Sequence, residues 1–258
     1  MRWSAARYRK FEAERNRPVL DLLAHVPTPQ VRRAIDIGCG PGNSTELLQA
    51  RYPDAGITGL DSSADMIAAA RRRLPGIRFV TGDIRDWPVA GTFDLILANA
   101  VLQWLPDHRQ LLPDLMERLE AGGTLAVQMP DNLDEPSHRL MREIAADGPW
   151  AGALAGTAAR RAPRHDAGYY YRLLKAPAAR LDIWRTVYHH PLTDGAAGIV
   201  EWFRGSGLRP YLEPLSNVER DAFLVRYRDA VAAAYPEEPD GSVLLPFPRL
   251  FILAQKGR

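Results

Sequence analysis

For its first 130 residues the chain alternates short apolar runs with amphipathic stretches. RAIDIG (33–38), GITGLD (56–61), IRFVTGD (77–83), FDLILAN (93–99) and GGTLAVQMP (122–130) read as strands. Between them NSTELLQARY (43–52), SADMIAAARRRL (63–74) and LLPDLMERL (111–119) carry helical periodicity, the second opened by Ser62 with Asp65 at capping-box spacing. Strands separated by helices of this length mean βαβ units and a parallel sheet. Right-handed crossovers make that sheet doubly wound, an α/β fold. Ahead of it, residues to about 26 predict two helices. Trp3, Tyr8 and Phe11 supply apolar positions, and Pro18 suits the first turn of a helix carrying Val19, Leu20, Leu22 and Leu23.

Beyond Pro130 the rhythm changes. Residues 132–180 and 193–240 predict helical insertions, with a second capping box at Ser216 and Glu219. LDIWRTVYHHPL (181–192) and the stretch 243–256 predict two final strands, and the prolines of the last place its start near an edge or bend. The expected organisation is one domain: an N-terminal helical lid (1–30), a core (31–131), a helical cap and two closing strands.

Charge and composition narrow the class. Lys plus Arg is 33 against 31 for Asp plus Glu, a net +2 that argues against a dedicated nucleic-acid binder. No apolar run approaches the roughly 18 residues that would span a bilayer. The opening MRWSAARYRKFEAERNR lacks the apolar stretch of a secretory signal. The single Cys39 allows neither an internal disulfide nor a cysteine zinc cluster. A cytoplasmic protein is expected. Only Lys10, Lys175 and Lys256 are lysine, so arginine dominates the cations; a coding bias explains this number, and position carries more information.

The densest chemistry lies in AIDIGCGPGNS (34–44). Gly38, Gly40 and Gly42 follow a strand and precede a helix, where absent Cβ atoms permit a tight turn and close approach of a ligand. A dinucleotide fingerprint requires a glycine where Asn43 stands. Asp36, two residues before the first glycine, repels a pyrophosphate and attracts an ammonium group. Both features point away from a nicotinamide dinucleotide and toward a zwitterionic or cationic ligand. Asp61 ends the second strand, where an acid of such folds takes ribose hydroxyls. Asp83 follows the third, able to accept from an exocyclic amine while Ile84 packs a ring, and Asn99 ends the fourth. Taken singly, Asp61 and Asp83 have an alternative as turn caps.

With these motifs (DIGCGPG, GLDSSADM, GDIRDW and FDLILANAVLQWL, then the glycine-led fifth strand) the chain resembles the class I S-adenosylmethionine-dependent methyltransferases over residues 34–130. The resemblance implies a Rossmann-like seven-stranded sheet ordered 3-2-1-4-5-7-6 with the last strand antiparallel. It implies S-adenosyl-L-methionine as cofactor and S-adenosyl-L-homocysteine as product. It places Gly38, Gly40 and Gly42 at the methionine part, Asp61 on the ribose, Ser62 and Met66 beside the adenine, Asp83 and Ile84 on the base, and Asn99 at the amino-acid end. Trp3 and Tyr8 are expected to close over the cofactor.

For the methyl acceptor the sequence offers direction. Methyl transfer from a sulfonium is a displacement that needs alignment above all. A carboxylate acceptor, ionised at neutral pH, needs no base. No catalytic residue is assigned, and His108, His165, His189 and His190 read as surface or structural. The window 160–180 holds Arg160, Arg161, Arg164, Arg172, Lys175 and Arg180 against Asp166 alone, with Tyr169, Tyr170 and Tyr171 among them. Arginine suits bidentate carboxylate binding. WFRGSGLRPYLEPL (202–215), with Arg209 and Tyr211, predicts a loop forming a pocket wall. Together with Trp3, Tyr8, Phe11, Arg15 and RPVLDLL it narrows the resemblance to enzymes that esterify a small polycarboxylic acid. Arg17, Gln103, Trp104, Arg164, Tyr169, Tyr170 and Arg209 are the candidate substrate contacts, Trp87 is either wall or core, and no metal is expected. A monomer or weak homodimer with no membrane or nucleic-acid partner is expected. A carrier-linked carboxylate, a small amine or a phenol stands as the alternative acceptor; a nicotinamide-dependent oxidoreductase and a non-catalytic sensor are further alternatives.

Overall fold

A computed structural model describes residues 12–157 and 165–257. The first described element is α1 (Glu12–Ala24), with Pro18 inside it and buried. The expected helix opening at Pro18 therefore starts six residues earlier, and a buried apolar face of Val19, Leu22 and Leu23 offsets the hydrogen bond that proline cannot make. The sheet follows: β1 (Arg33–Ile37), α2 (Asn43–Arg51), β2 (Gly56–Asp61), α3 (Ala64–Arg73), β3 (Arg78–Thr81), β4 (Phe93–Asn99), α4 (His108–Glu117) and β5 (Leu119–Pro130). Next come α5 (Pro136–Ala146), α6 (Ala151–Leu154), α7 (Ala167–Leu174), β6 (Ala178–Leu192), α8 (Gly195–Arg204), α9 (Arg209–Leu212), α10 (Asn217–Ala234) and β7 (Val243–Lys256).

Seven strands form one sheet in the order β3-β2-β1-β4-β5-β7-β6. β1 to β5 pair in parallel, and β7 runs antiparallel to β5 from Thr124 opposite Gln255 to Pro130 opposite Arg249. This is the expected order. Its central strands are covered on both faces, so β4 shows no solvent-facing alternation: Leu95, Ile96, Leu97 and Ala98 are all fully buried. Each of the leucines and the isoleucine contributes roughly 1.5–3 kcal/mol over an exposed position.

The chain gathers into two compact units. One contains residues 12–130, 165–186 and 249–257, and its core joins Ile35, Ile37, Ile96, Leu112, Val127 and Ile252. Trp87 belongs to that core, edge-on to Phe93, which settles it as packing. The other unit contains 131–157 and 187–248. There α10 packs on α5 and α8, Trp150 and Tyr211 meet Phe223, and the Tyr227 hydroxyl donates to the Ser137 carbonyl at 3.0 Å. The Ser216–Glu219 capping box is present. The helix after β2 is capped one residue later than expected: Ser63, not Ser62, accepts from the Met66 amide. Half of the expected loop across 202–215 is helical, because α8 runs on to Arg204 and α9 adds a turn with Pro210 at its start.

Candidate active site at the carboxyl ends of β1 to β4

The turn after β1 is built on glycines with left-handed backbone. Gly38 has φ +70°, and a Cβ there would come within 2.2 Å of Val101 Cγ2. Gly40 has φ +54° with open space where a Cβ would stand. The Gly38 and Cys39 amides donate to the Leu60 carbonyl at 2.7 and 3.0 Å, tying the turn to β2. Gly42 then caps α2.

Asp36 sits in β1 wholly buried. Its Oδ2 accepts from the Ser44 and Thr45 hydroxyls at 2.7 and 2.6 Å, while its Oδ1 is buried without a partner. Burial raises its pKa to about 7 despite those two hydroxyls, with a smaller push from Asp61. Asn43, the first residue of α2, buries both ends of its amide without partners. Cys39 beside them is an inert thiol, pushed far up by burial.

Asp61 ties the glycine turn to the start of α3. Its Oδ2 accepts from the Gly40 amide at 2.9 Å and its Oδ1 from the Ser63 amide at 2.8 Å. The carboxylate thus caps turns, yet four lone-pair sites leave room for two further donors. Ser62 is exposed and Met66 buried. Asp83, just beyond the end of β3, forms a fork with Arg85 (Oδ1 to Nε 3.0 Å, Oδ2 to Nη2 2.6 Å) and takes the Arg85 amide as well. The Arg85 hydrogen bonds lower its pKa to about 2, so it is a fixed anion. Ile84 is buried next to it.

Asn99 is half-buried at the end of β4 and accepts from Gln128 Nε2 at 2.5 Å. Ala100 turns the chain with φ +52°, an uncommon conformation for a non-glycine residue. Gln103 and Trp104 lie on a short 3-10 turn (Leu102–Trp104); Gln103 Nε2 donates to the Ala100 carbonyl at 2.6 Å, and Trp104 is half exposed.

The structure therefore brings together Asp36, the glycines, Asp61 and Asn99 around the start of the sheet's topological switch, where β1 stands between β2 and β4. Other expected site residues are placed differently. Tyr170 is 1% exposed; its hydroxyl meets His108 Nδ1 at 2.8 Å, and His108 Nε2 donates to the Leu102 carbonyl at 2.8 Å. This pair packs α7 on α4, so Tyr170 is buried structure rather than an open contact. Tyr169 stacks on His165 at 3.7 Å between ring centroids. Arg17 is exposed on α1, and Arg209 Nε donates to Glu213 at 2.7 Å within α9 and its following turn. Trp3, Tyr8, Phe11, Arg160, Arg161 and Arg164 lie outside the described residues. Ser44, Thr45, Arg85, Gln128 and Arg249 were missed by sequence reasoning. Only Ser44 and Thr45 left a local signal, as hydroxyls on the first turn after the glycines.

Sheet order, glycine turn and strand-end acids define a methyltransferase of class I, and residues 34–123 match the family model described as a methyltransferase domain. Among solved structures the chain resembles the YcgJ protein of Bacillus subtilis (TM-score 0.61, 14% identity, 94% of this chain and 99% of that one). It also resembles a Haemonchus contortus phosphoethanolamine N-methyltransferase 2 (TM-score 0.58, 15% identity, 95% of this chain and 53% of that one); both likenesses are of fold. Sequence relatives are much nearer. The trans-aconitate 2-methyltransferase of Rhizobium etli is 54% identical over 257 residues, covering 100% of both chains. That of Methylobacterium nodulans is 56% identical over 256 residues, covering 99% of each. The chain belongs to the trans-aconitate 2-methyltransferase family.

Proposed function

We propose that this chain transfers the methyl group of S-adenosylmethionine to one carboxylate of trans-aconitate, giving a monomethyl ester by direct displacement. The observation that carries the cofactor part of the reading is the unpartnered, buried oxygen of Asp36 two residues ahead of a turn left open by its glycines. The acceptor is supported by the full-length likeness to trans-aconitate 2-methyltransferases. A zwitterionic ligand fits that arrangement: its ammonium group satisfies a buried acceptor, and its backbone-sized approach meets no Cβ at Gly40. When bound, the cofactor supplies an electrophilic methyl carbon on a cationic sulfur.

The chain's own part is to hold and align. Gly38, Gly40, Gly42 and Asp36 receive the amino-acid end. Asp61 keeps lone pairs for the ribose hydroxyls while its other contacts fix the turn. Met66 and Ile84, both buried, with Ser62 beside them, flank the adenine. Asp83, held by Arg85, accepts from the adenine amine. Asn99 reads the amino-acid end. On the acceptor side Arg17, Trp104 and Tyr169 provide cationic and aromatic contacts. No general base is required, because an acid with a reference pKa near 4 arrives ionised at neutral pH. No helix among the described residues is long and apolar enough to cross a membrane, and the proposed setting is the cytoplasm, as a monomer or weak homodimer.

The test is incubation with methyl-labelled cofactor and a panel of di- and tricarboxylates, carrier-linked acids, amines and phenols. Base-labile methyl esters are expected, formed fastest on trans-aconitate. Label on amines or phenols alone, or on carrier-linked acids alone, overturns the acceptor assignment. Tight binding of a nicotinamide dinucleotide in place of the methyl donor overturns the cofactor assignment.

A further inference from the structure

Behind the end of β4 three side chains form a run of donors and acceptors with one direction. Arg249 on β7 is buried, and its Nη1 donates to Gln128 Oε1 at 2.8 Å. A guanidinium has donors and no acceptor, so this contact turns the Gln128 oxygen toward Arg249 and its nitrogen away. Gln128, wholly buried on β5, then donates from Nε2 to Asn99 Oδ1 at 2.5 Å. Its backbone carbonyl also accepts the Ala100 amide at 2.8 Å, holding the left-handed residue that follows β4. That contact takes one lone pair of the Asn99 oxygen and fixes the oxygen on the Gln128 side. Its Nδ2 donates to none of the described residues and is the end of the run.

We propose that Arg249 and Gln128 are positioning residues that lock Asn99 as a hydrogen-bond donor, making the end of β4 a carboxylate-reading position of the methyl-transfer site. The proposal rests on the function proposed above. An amide with a free choice of orientation can offer either its oxygen or its nitrogen. Here a buried cation removes that choice, and the N–H pair it turns away from Gln128 favours an anionic oxygen. Gln103, on the other side of Ala100, has the opposite polarity. Its Nε2 is spent on the Ala100 carbonyl and its Oε1 is a buried acceptor without a partner. That oxygen repels a carboxylate and suits an N–H, which moves Gln103 from the acceptor's carboxylates to the ammonium end of the cofactor. The carboxylate read by Asn99 comes either from the cofactor's amino-acid end or from the acceptor.

The decisive variants are Gln128→Glu and Asn99→Asp. In the first, a carboxylate pairs with Arg249 and presents an acceptor to Asn99, so the Asn99 amide turns over and offers its oxygen. In the second, the donor is replaced by an anionic oxygen while Arg249 and Gln128 stay as they are. Binding of S-adenosylhomocysteine and of its analogue lacking the α-carboxylate is measured by calorimetry, with kcat and KM for trans-aconitate alongside. One hydrogen bond to a charged group corresponds to about tenfold to a hundredfold in affinity. Loss of the wild-type preference for the carboxylate-bearing compound by that factor identifies the cofactor as the source. An unchanged preference with KM for trans-aconitate raised by that factor and kcat within about twofold identifies the acceptor. A purely structural role predicts equal weakening of both cofactor forms, and that result overturns the proposal. So does a folded variant in which neither quantity moves beyond twofold. If Gln128→Glu does not fold, Asn99→Asp decides alone, because it leaves the buried pair intact. Failure of the wild-type protein to bind S-adenosylhomocysteine or to esterify the acid refutes the function; a null result in the variants alone refutes only the relay.

Discussion

Asp36→Asn should stabilise the cofactor-free protein at neutral pH and weaken its hold on the cofactor. The carboxyl is wholly buried, and desolvation raises its pKa from 3.8 to about 7 against the pull of the Thr45 and Ser44 hydroxyls. Between these two values the folded chain keeps a proton that the unfolded chain has released. Stability therefore falls as pH rises through the window from about 4 to about 7, the slope following the difference in bound protons. At about 1.4 kcal/mol per pKa unit, that rise corresponds to about 4 kcal/mol. The asparagine variant stays neutral at every pH, and its oxygen can keep both hydroxyls. Urea unfolding of both proteins at a series of pH values should show the wild type losing about 4 kcal/mol relative to the variant between pH 4 and pH 8. The same proton should leave when a cation binds. Wild-type affinity for S-adenosylhomocysteine should then rise with pH up to about 7 and flatten above it, with proton release visible as a buffer-dependent binding enthalpy at pH 6. The variant should show weaker binding with no such trend. Parallel unfolding profiles for the two proteins, together with pH-independent binding by the wild type, would refute the reasoning.

Gly38→Ala puts a Cβ within 2.2 Å of Val101 Cγ2 at φ +70°, and overpacking with backbone strain should cost about 3 kcal/mol; Val101→Ala in the same chain should restore part of it, measured as a double-mutant cycle in urea. Tyr170→Phe removes the donor to buried His108 Nδ1 and should cost about 1–3 kcal/mol of stability. It should leave kcat/KM for trans-aconitate within about twofold, whereas a tenfold loss of kcat/KM at unchanged stability would return Tyr170 to the substrate. His108 itself has its pKa lowered by burial, so the stability it contributes is complete above the ordinary histidine value of 6.5 and declines as pH falls below it. His108→Gln should flatten that decline in acid unfolding curves.

The parallel core was legible because its strands are covered on both faces. After Asp94, β4 reads as an unbroken apolar run with a polar last residue, and such runs leave few alternatives. The glycine turn was legible for a related reason: a left-handed backbone at three alternate positions demands glycine, and no other residue type supplies that signal so locally. Pro18 misled because a tertiary contact outweighed a local rule; the buried face of α1 runs through it. Tyr170 misled in the other direction. Three consecutive tyrosines on α7 share one composition but point to different surroundings, with Tyr170 at 1% exposure and Tyr171 at 54%, and that split is set by α4 rather than by the window they occupy.

The residues that escaped the sequence have a common physical character. Asp36, Asp61, Asp83 and Asn99 announce themselves because each sits in, ends or closely follows a strand of the same parallel set. The groups that decide their protonation and orientation come from elsewhere: Ser44 and Thr45 on Asp36, Arg85 on Asp83, and Gln128 with Arg249 on Asn99. Gln128 and Arg249 are 121 residues apart and meet only because β7 pairs antiparallel with β5, a topology that no local window encodes. Two carboxylates of the same residue type, one in β1 and one just after β3, consequently differ in kind. Asp83 is a fixed anion, held by an arginine in partial exposure, whereas Asp36 is poised near neutrality by burial and has one oxygen left over. A fixed anion suits a neutral amine that must be recognised at any pH. A poised one suits a permanent cation, because the ligand's own charge completes the ionisation that burial opposes. That difference predicts that exchanging the partners matters more than exchanging the acids. Arg85→Met should cost adenine recognition while leaving the pH dependence of cofactor binding in place. Thr45→Val, by removing a hydroxyl that favours the ionised form, should push the Asp36 pKa further up and move the rise in cofactor affinity to higher pH, which a binding titration across pH reads directly.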